Sequence, residues 1–162
     1  MYKILSWISV IIWMAVIFNF SAQVAVQSNQ LSTNVTEVVV KTVEKVAPKA
    51  ELNVDTLNHV IRKNAHFFCY LVLGILTINA FQRSQFKLPK SILFSFLLCV
   101  LYAISDEIHQ MYVPGRGAQI KDVLIDSLGA IVGLLIYCFV IYIVNRLRIG
   151  KSQRKDGAQC DV

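Results

Sequence analysis

Arg62, His66 and Tyr70 recur every fourth residue, so on a helix they share one face, and Gly74 continues it. A second polar stripe, Ser95, Cys99, Tyr102, Asp106 and His109, advances by four, three, four and three residues, again the spacing of one helix face. A third consists of Asp122, Asp126, Gly129 and Gly133. The chemistry these residue types offer is proton transfer or ligation. Asp106 and His109, three residues apart, form an acid/base or ligand pair to which flanking helices can bring His66 and Asp126. His66, Asp106, His109 and Asp126 are therefore the candidate catalytic residues. No serine or cysteine stands in a nucleophile motif, so any reaction here would be water or metal chemistry. Histidines among carboxylates suit a divalent metal. However, Asp106-Glu107-Ile108-His109 has no recognised zinc spacing, and Glu107 points about 100° away from Asp106 on a helix. Neither a metal nor a cofactor is expected.

The segment Met111-Tyr112-Val113-Pro114-Gly115-Arg116-Gly117 carries turn residues and one arginine. It reads either as a plain connection or as a loop whose Arg116 guanidinium holds a phosphate or carboxylate. The whole constellation has a bland alternative too. Asp106, Glu107, Asp122 and Asp126 with Arg62, Lys63 and Arg116 would make a buried ion-pair network that sets helix register.

These stripes sit in a chain of 162 residues that is 56% hydrophobic and only 16% charged, too apolar for a soluble domain of its size. Spanning a hydrocarbon core takes about 20 apolar residues as helix. Four runs qualify, at about 4–20, 65–81, 91–109 and 123–144. The expected fold is an all-α membrane protein, a four-transmembrane-helix bundle occupying residues 1–145. A cleavable signal peptide is the competing reading of the first run. Ser21-Ala22-Gln23-Val24-Ala25 offers no clean cleavage site, and retention is expected.

Between the first two spans, Val35, Val39, Val43 and Val46 recur among Glu37, Lys41, Glu44 and Lys45, which predicts an extra amphipathic helix ending before Pro48. Asp55 is a candidate N-cap for the second long helix. Residues 146–162 read as a basic, solvated cytoplasmic tail without fixed structure. Cys69, Cys99 and Cys138 fall inside apolar runs as small packing residues, and Cys160 lies in the tail, so no disulfide framework is expected.

The net charge of +6 does not imply nucleic acid, because the basic residues flank apolar runs instead of forming a patch on a soluble fold. They set orientation instead. With four spans, Lys3, Arg83, Lys87, Lys90, Arg146, Arg148, Lys151, Arg154 and Lys155 fall on one side, against only Asp156 and Asp161. The rule that basic loops stay inside then predicts both termini in the cytoplasm. The three polar stripes enter the membrane from the outer side. A charged side chain at the bilayer centre costs about 2.5–3.5 kcal/mol on insertion scales, so the stripes should face one another inside the bundle.

At these residues the chain resembles the VanZ-like family of bacterial membrane proteins. Arg62-Lys63-Asn64-Ala65-His66-Phe67-Phe68-Cys69-Tyr70 is similar to that family's Arg-Lys-x-x-His-Phe-x-x-Tyr segment. Asp106-Glu107-Ile108-His109-Gln110, Val113-Pro114-Gly115-Arg116, and Asp122 and Asp126 with Gly129 and Gly133 are similar to its second signature. Phe20-Ser21-Ala22-Gln23 with Ser28 and Ser32 is similar to the segment after its first span. The resemblance implies a bacterial plasma-membrane protein of the cell envelope. It also points to teicoplanin-type glycopeptide resistance, to which some members are linked. With the stripes, it implies a ligand site of Arg62, Lys63, His66, Tyr70, Asp106, Glu107, His109, Gln110, Arg116, Asp122 and Asp126.

The expected partner is a membrane lipid or a lipid-linked envelope precursor, with no nucleic acid. An intramembrane hydrolase or transferase acting on such a substrate is the alternative. A transporter is disfavoured by four spans without an internal repeat. The oligomeric state is not set by the sequence.

Overall fold

Four helices account for the long apolar runs. The structure, a computed structural model, describes residues 2–22, 54–114 and 119–159, and among them there is no strand. The helices are α1 (Tyr2–Ser21), α2 (Val54–Arg83), α3 (Leu88–Gln110) and α4 (Ile120–Gln159). Each holds a stretch long and apolar enough to cross a membrane: Tyr2–Ser21, Lys63–Arg83, Leu88–Gln110 and Ile120–Arg148. α4 continues beyond its apolar stretch into the basic segment after Val144. The amphipathic helix expected over residues 35–46 lies outside the described residues, as do Arg116 and the side chains of Asp55 and Arg62.

Residue types are distributed inside out. Buried positions include Ser91, Ser95, Thr77, Asp106 and Asp126, whereas Ile11, Leu101, Leu135 and Phe139 are each more than 60% exposed. A soluble monomer rarely leaves so much contiguous apolar surface bare. Hydrocarbon is the solvent in which this arrangement is favourable, since the helices satisfy their own backbone groups internally.

The helices alternate in direction. α2 turns into α3 at Gln85, whose φ of 66° is left-handed. There Phe86 N–H donates to Phe81 O at 3.3 Å, and the proline-containing first turn of α3 follows. The capping bond closes the carbonyl end of α2 in the manner of a Schellman turn.

α2 and α4, which run the same way, share the most extensive contact of the bundle. It is built on small residues. A methyl added at Gly129 would land on the carbonyl oxygen of Phe67, one at Gly133 on that of Leu71, and one at Gly74 within 2.7 Å of Ala130 O. Membrane helices approach this closely where small residues line the crossing.

α1 is fastened to α2 and α3 by side chains that reach across. Trp13 Nε1 donates to Cys69 O at 2.9 Å, Trp7 Nε1 to Ser84 Oγ at 3.1 Å, and Tyr102 OH to Met14 O at 2.6 Å. Val10 and Ile17 are buried beneath them. Trp13→Phe keeps most of the ring packing and deletes one donor. It should therefore destabilise the protein by about 1 kcal/mol, the scale of an interhelical hydrogen bond. Equilibrium unfolding in mixed micelles measures this, and Trp13→Ala should lose more than Trp13→Phe.

Candidate functional site

The alternating directions bring Ser21 of α1, Lys63 and His66 of α2, Asp106 to Gln110 of α3 and Asp122 and Asp126 of α4 to one end of the bundle. Asp106, Glu107, Gln110 and Asp126 are buried there, with exposures of 3%, 7%, 8% and 2%. Carboxylates that far from water need partners, and each finds a different one.

Asp106 Oδ2 accepts from Gln110 Nε2 at 3.2 Å, one turn along α3. The same amide nitrogen donates to Ser21 Oγ at 2.7 Å, so Gln110 ties the end of α1 to the carboxylate. Glu107 points away from Asp106, as a one-residue offset on a helix requires, and Glu107 Oε1 accepts the backbone N–H of Gln119 at the entry to α4. Lys63 Nζ lies 2.8 Å from Asp122 Oδ1 in the first turn of α4, where a negative side chain is favoured by the helix dipole. His66 Nδ1 stands 3.8 Å from Asp126 Oδ1 and is the partner of that carboxylate.

One carboxylate oxygen is left over. Asp106 Oδ1 is buried and accepts no hydrogen bond, and the buried Tyr70 hydroxyl and Ser95 Oγ also lack one. Leaving a buried charged group unsatisfied is costly, about 1–3 kcal/mol or more, so such atoms call for an explanation in a bound group or a proton. Ligating atoms of His66, Asp106 and Asp126 all lie within 4.8 Å of one another, each contributed by a different helix. This trio is what the described residues offer a metal.

The structure thus joins Asp106 to His66 and Asp126 but places His109 differently. The His109 ring lies over Phe18 with centroids 4.4 Å apart, and its Nδ1 is buried without a hydrogen bond. Tyr70 sits one turn deeper than His66, its ring 6.2 Å from that of Tyr102. Ser21 and the backbone of Gln119 are parts of the site to which stripe spacing assigned no role. The first carries no periodic signal, and the second acts through its N–H, which no side-chain pattern reveals.

Lys63 and Asp122 are each about one quarter exposed, so their pair is partly screened by water. In a double-mutant cycle with Lys63→Ala and Asp122→Ala, the coupling should be about 0.5–1 kcal/mol and should shrink as salt is raised. Unfolding at low and high ionic strength checks both.

Four membrane-length helices packed on a glycine seam, with carboxylates and a histidine gathered at one end, define a multi-pass helical membrane protein with a polar site at the head of its bundle. The VanZ/LLP1 family model matches residues 6–142, and the chain belongs to that family. No curated protein and no solved structure matches it.

Proposed function

We propose that this VanZ-like membrane protein acts at the outer face of a bacterial plasma membrane. There its polar site engages the head of a surface lipid or lipid-linked wall precursor, and this engagement contributes to resistance against teicoplanin-type glycopeptides. The observation that carries the reading is the buried, unpartnered carboxylate oxygen Asp106 Oδ1, with the buried Asp126 close beside it. A network whose only task is to brace helices gains nothing from such atoms, whereas a binding site needs acceptors that the protein itself does not satisfy.

The orientation rests on the Lys and Arg asymmetry of the loops, which puts both termini in the cytoplasm and the site outside. Lys63 together with Arg62 and Arg116 supplies cations for a phosphate or carboxylate. Asp106, Glu107 and Gln110 supply acceptors and a donor for hydroxyl or amine groups. The ligand residues remain Arg62, Lys63, His66, Tyr70, Asp106, Glu107, His109, Gln110, Arg116, Asp122 and Asp126.

The expected result is that Asp106→Ala abolishes protection against a lipid-tailed glycopeptide while the protein stays at wild-type abundance in the membrane. Lost protection that merely follows lost abundance would reduce the site to a structural brace. The nearness of His66 to Asp126 favours one second reading, an intramembrane hydrolase or transferase that moves a proton between the imidazole and a carboxylate. Purified protein that releases product from envelope lipids, and no longer does so as Asp126→Asn, would establish it.

A further inference from the structure

We infer that His66, Asp106 and Asp126 form a site for one divalent transition-metal cation of the zinc class. Sequence spacing hid this set, because the Asp106–His109 spacing matches no zinc motif, whereas these three donors come from α2, α3 and α4. Their ligating atoms lie within 4.8 Å of one another, with His66 Nδ1 and Asp126 Oδ1 at 3.8 Å. Ligands about 2.0–2.2 Å from a zinc ion stand roughly 3–4 Å apart, so modest side-chain rotation closes the set on an ion.

Burial and charge point the same way. Asp106 and Asp126 are 3% and 2% exposed, and Asp106 Oδ1 lacks a hydrogen-bond partner. Two carboxylates and a neutral imidazole balance a dication, which removes the desolvation cost of two buried negative charges at once. An imidazole among the donors favours zinc and its transition-metal neighbours over magnesium or calcium.

The surroundings are those of a supported ligand. Gln110 grips Asp106 Oδ2 while bonded to Ser21, which fixes the carboxylate and leaves Oδ1 for the ion. The Tyr70 hydroxyl, one turn along α2 from His66, is buried and has no hydrogen-bond partner. Three protein ligands leave coordination positions open, and an open position accepts water or a phosphate oxygen. In this way the inference deepens the headgroup reading and rests on the same site, naming a phosphate-bearing head as the class it would take.

The test uses the full chain in lipid nanodiscs, stripped with chelator and titrated with Zn²⁺ by calorimetry and with Co²⁺ by visible absorption. Wild type should bind one ion per chain. Asp106→Asn and Asp126→Asn should each weaken binding at least tenfold while far-ultraviolet circular dichroism stays unchanged, and Cys138→Ser should bind as wild type. If an aspartate variant fails to fold, the wild-type Co²⁺ spectrum decides. Nitrogen and oxygen ligation without a thiolate charge-transfer band upholds the site, and a thiolate band overturns it. Absence of saturable binding by wild type, or undiminished binding by both folded variants, also overturns it. The two readings fail separately. Ion binding with no change in co-purifying lipid between wild type and Asp106→Asn keeps the cation site and rejects the headgroup, and the reverse result does the opposite.

Discussion

Gly133→Leu is expected to disassemble the bundle, and Gly133→Ala alone to destabilise it by about 1–3 kcal/mol, the range for forcing extra atoms into a packed contact. The sign is informative, because alanine is the better helix former by about 0.8–1.0 kcal/mol and would stabilise α4 if nothing opposed it. What opposes it is backbone. The added methyl meets the carbonyl of Leu71, and a carbonyl within a helix cannot swing aside as a side chain can. Gly129→Ala should behave alike against Phe67.

α2 and α4 would have to part, and the damage would not stay local. Lys63–Asp122 and His66–Asp126 lie about three and two turns from Gly133 along the same seam, so separating the helices pulls both pairs open. Leu128→Ala, on an exposed face of the same helix, should change stability by no more than about 0.5 kcal/mol. Unfolding midpoints in mixed micelles for the four proteins check the order. A Gly133→Leu protein as stable as wild type would refute the close crossing.

Asp106→Asn and Asp126→Asn should do the reverse to stability. In chelator-treated, lipid-free micelles each neutral isostere should raise stability by about 1–3 kcal/mol, because each removes a buried negative charge from a cluster of like charges. Protection should nevertheless be lost. A gain in stability coupled to a loss of function is the signature of a site built for a ligand at the expense of the fold. If both variants are instead destabilised by several kcal/mol, the two carboxylates are held by internal partners and serve as braces.

Much of the arrangement was legible because the bilayer imposes a strict grammar. A run of about 20 apolar residues has few alternatives, and the four runs become α1 to α4. Helical spacing likewise placed His66, Asp106 and Asp126 on inward faces, since polar groups in hydrocarbon have nowhere else to go. Gly129 and Gly133 were readable as members of the α4 stripe, but their contact with the α2 backbone was not.

The partnerships were not legible, for they depend on how far each helix is rotated and raised against its neighbour. Asp106 and His109 share a stripe, yet Phe18 takes the His109 ring and Gln110 takes one Asp106 oxygen. Ser21 belongs to no stripe at all and joins only because α1 ends beside Gln110. Gln119 contributes a main-chain donor, about which residue type is silent.

The central claim is that the polar end of the bundle exists to hold something outside the protein. Its most direct test compares the lipids and wall precursors that co-purify with wild type and with Asp106→Asn, at matched abundance and thermal stability. A lipid or precursor enriched with wild type and absent from Asp106→Asn is the predicted result and would name the ligand class. Identical profiles from two equally well-folded proteins would contradict the claim and leave the carboxylates as scaffold.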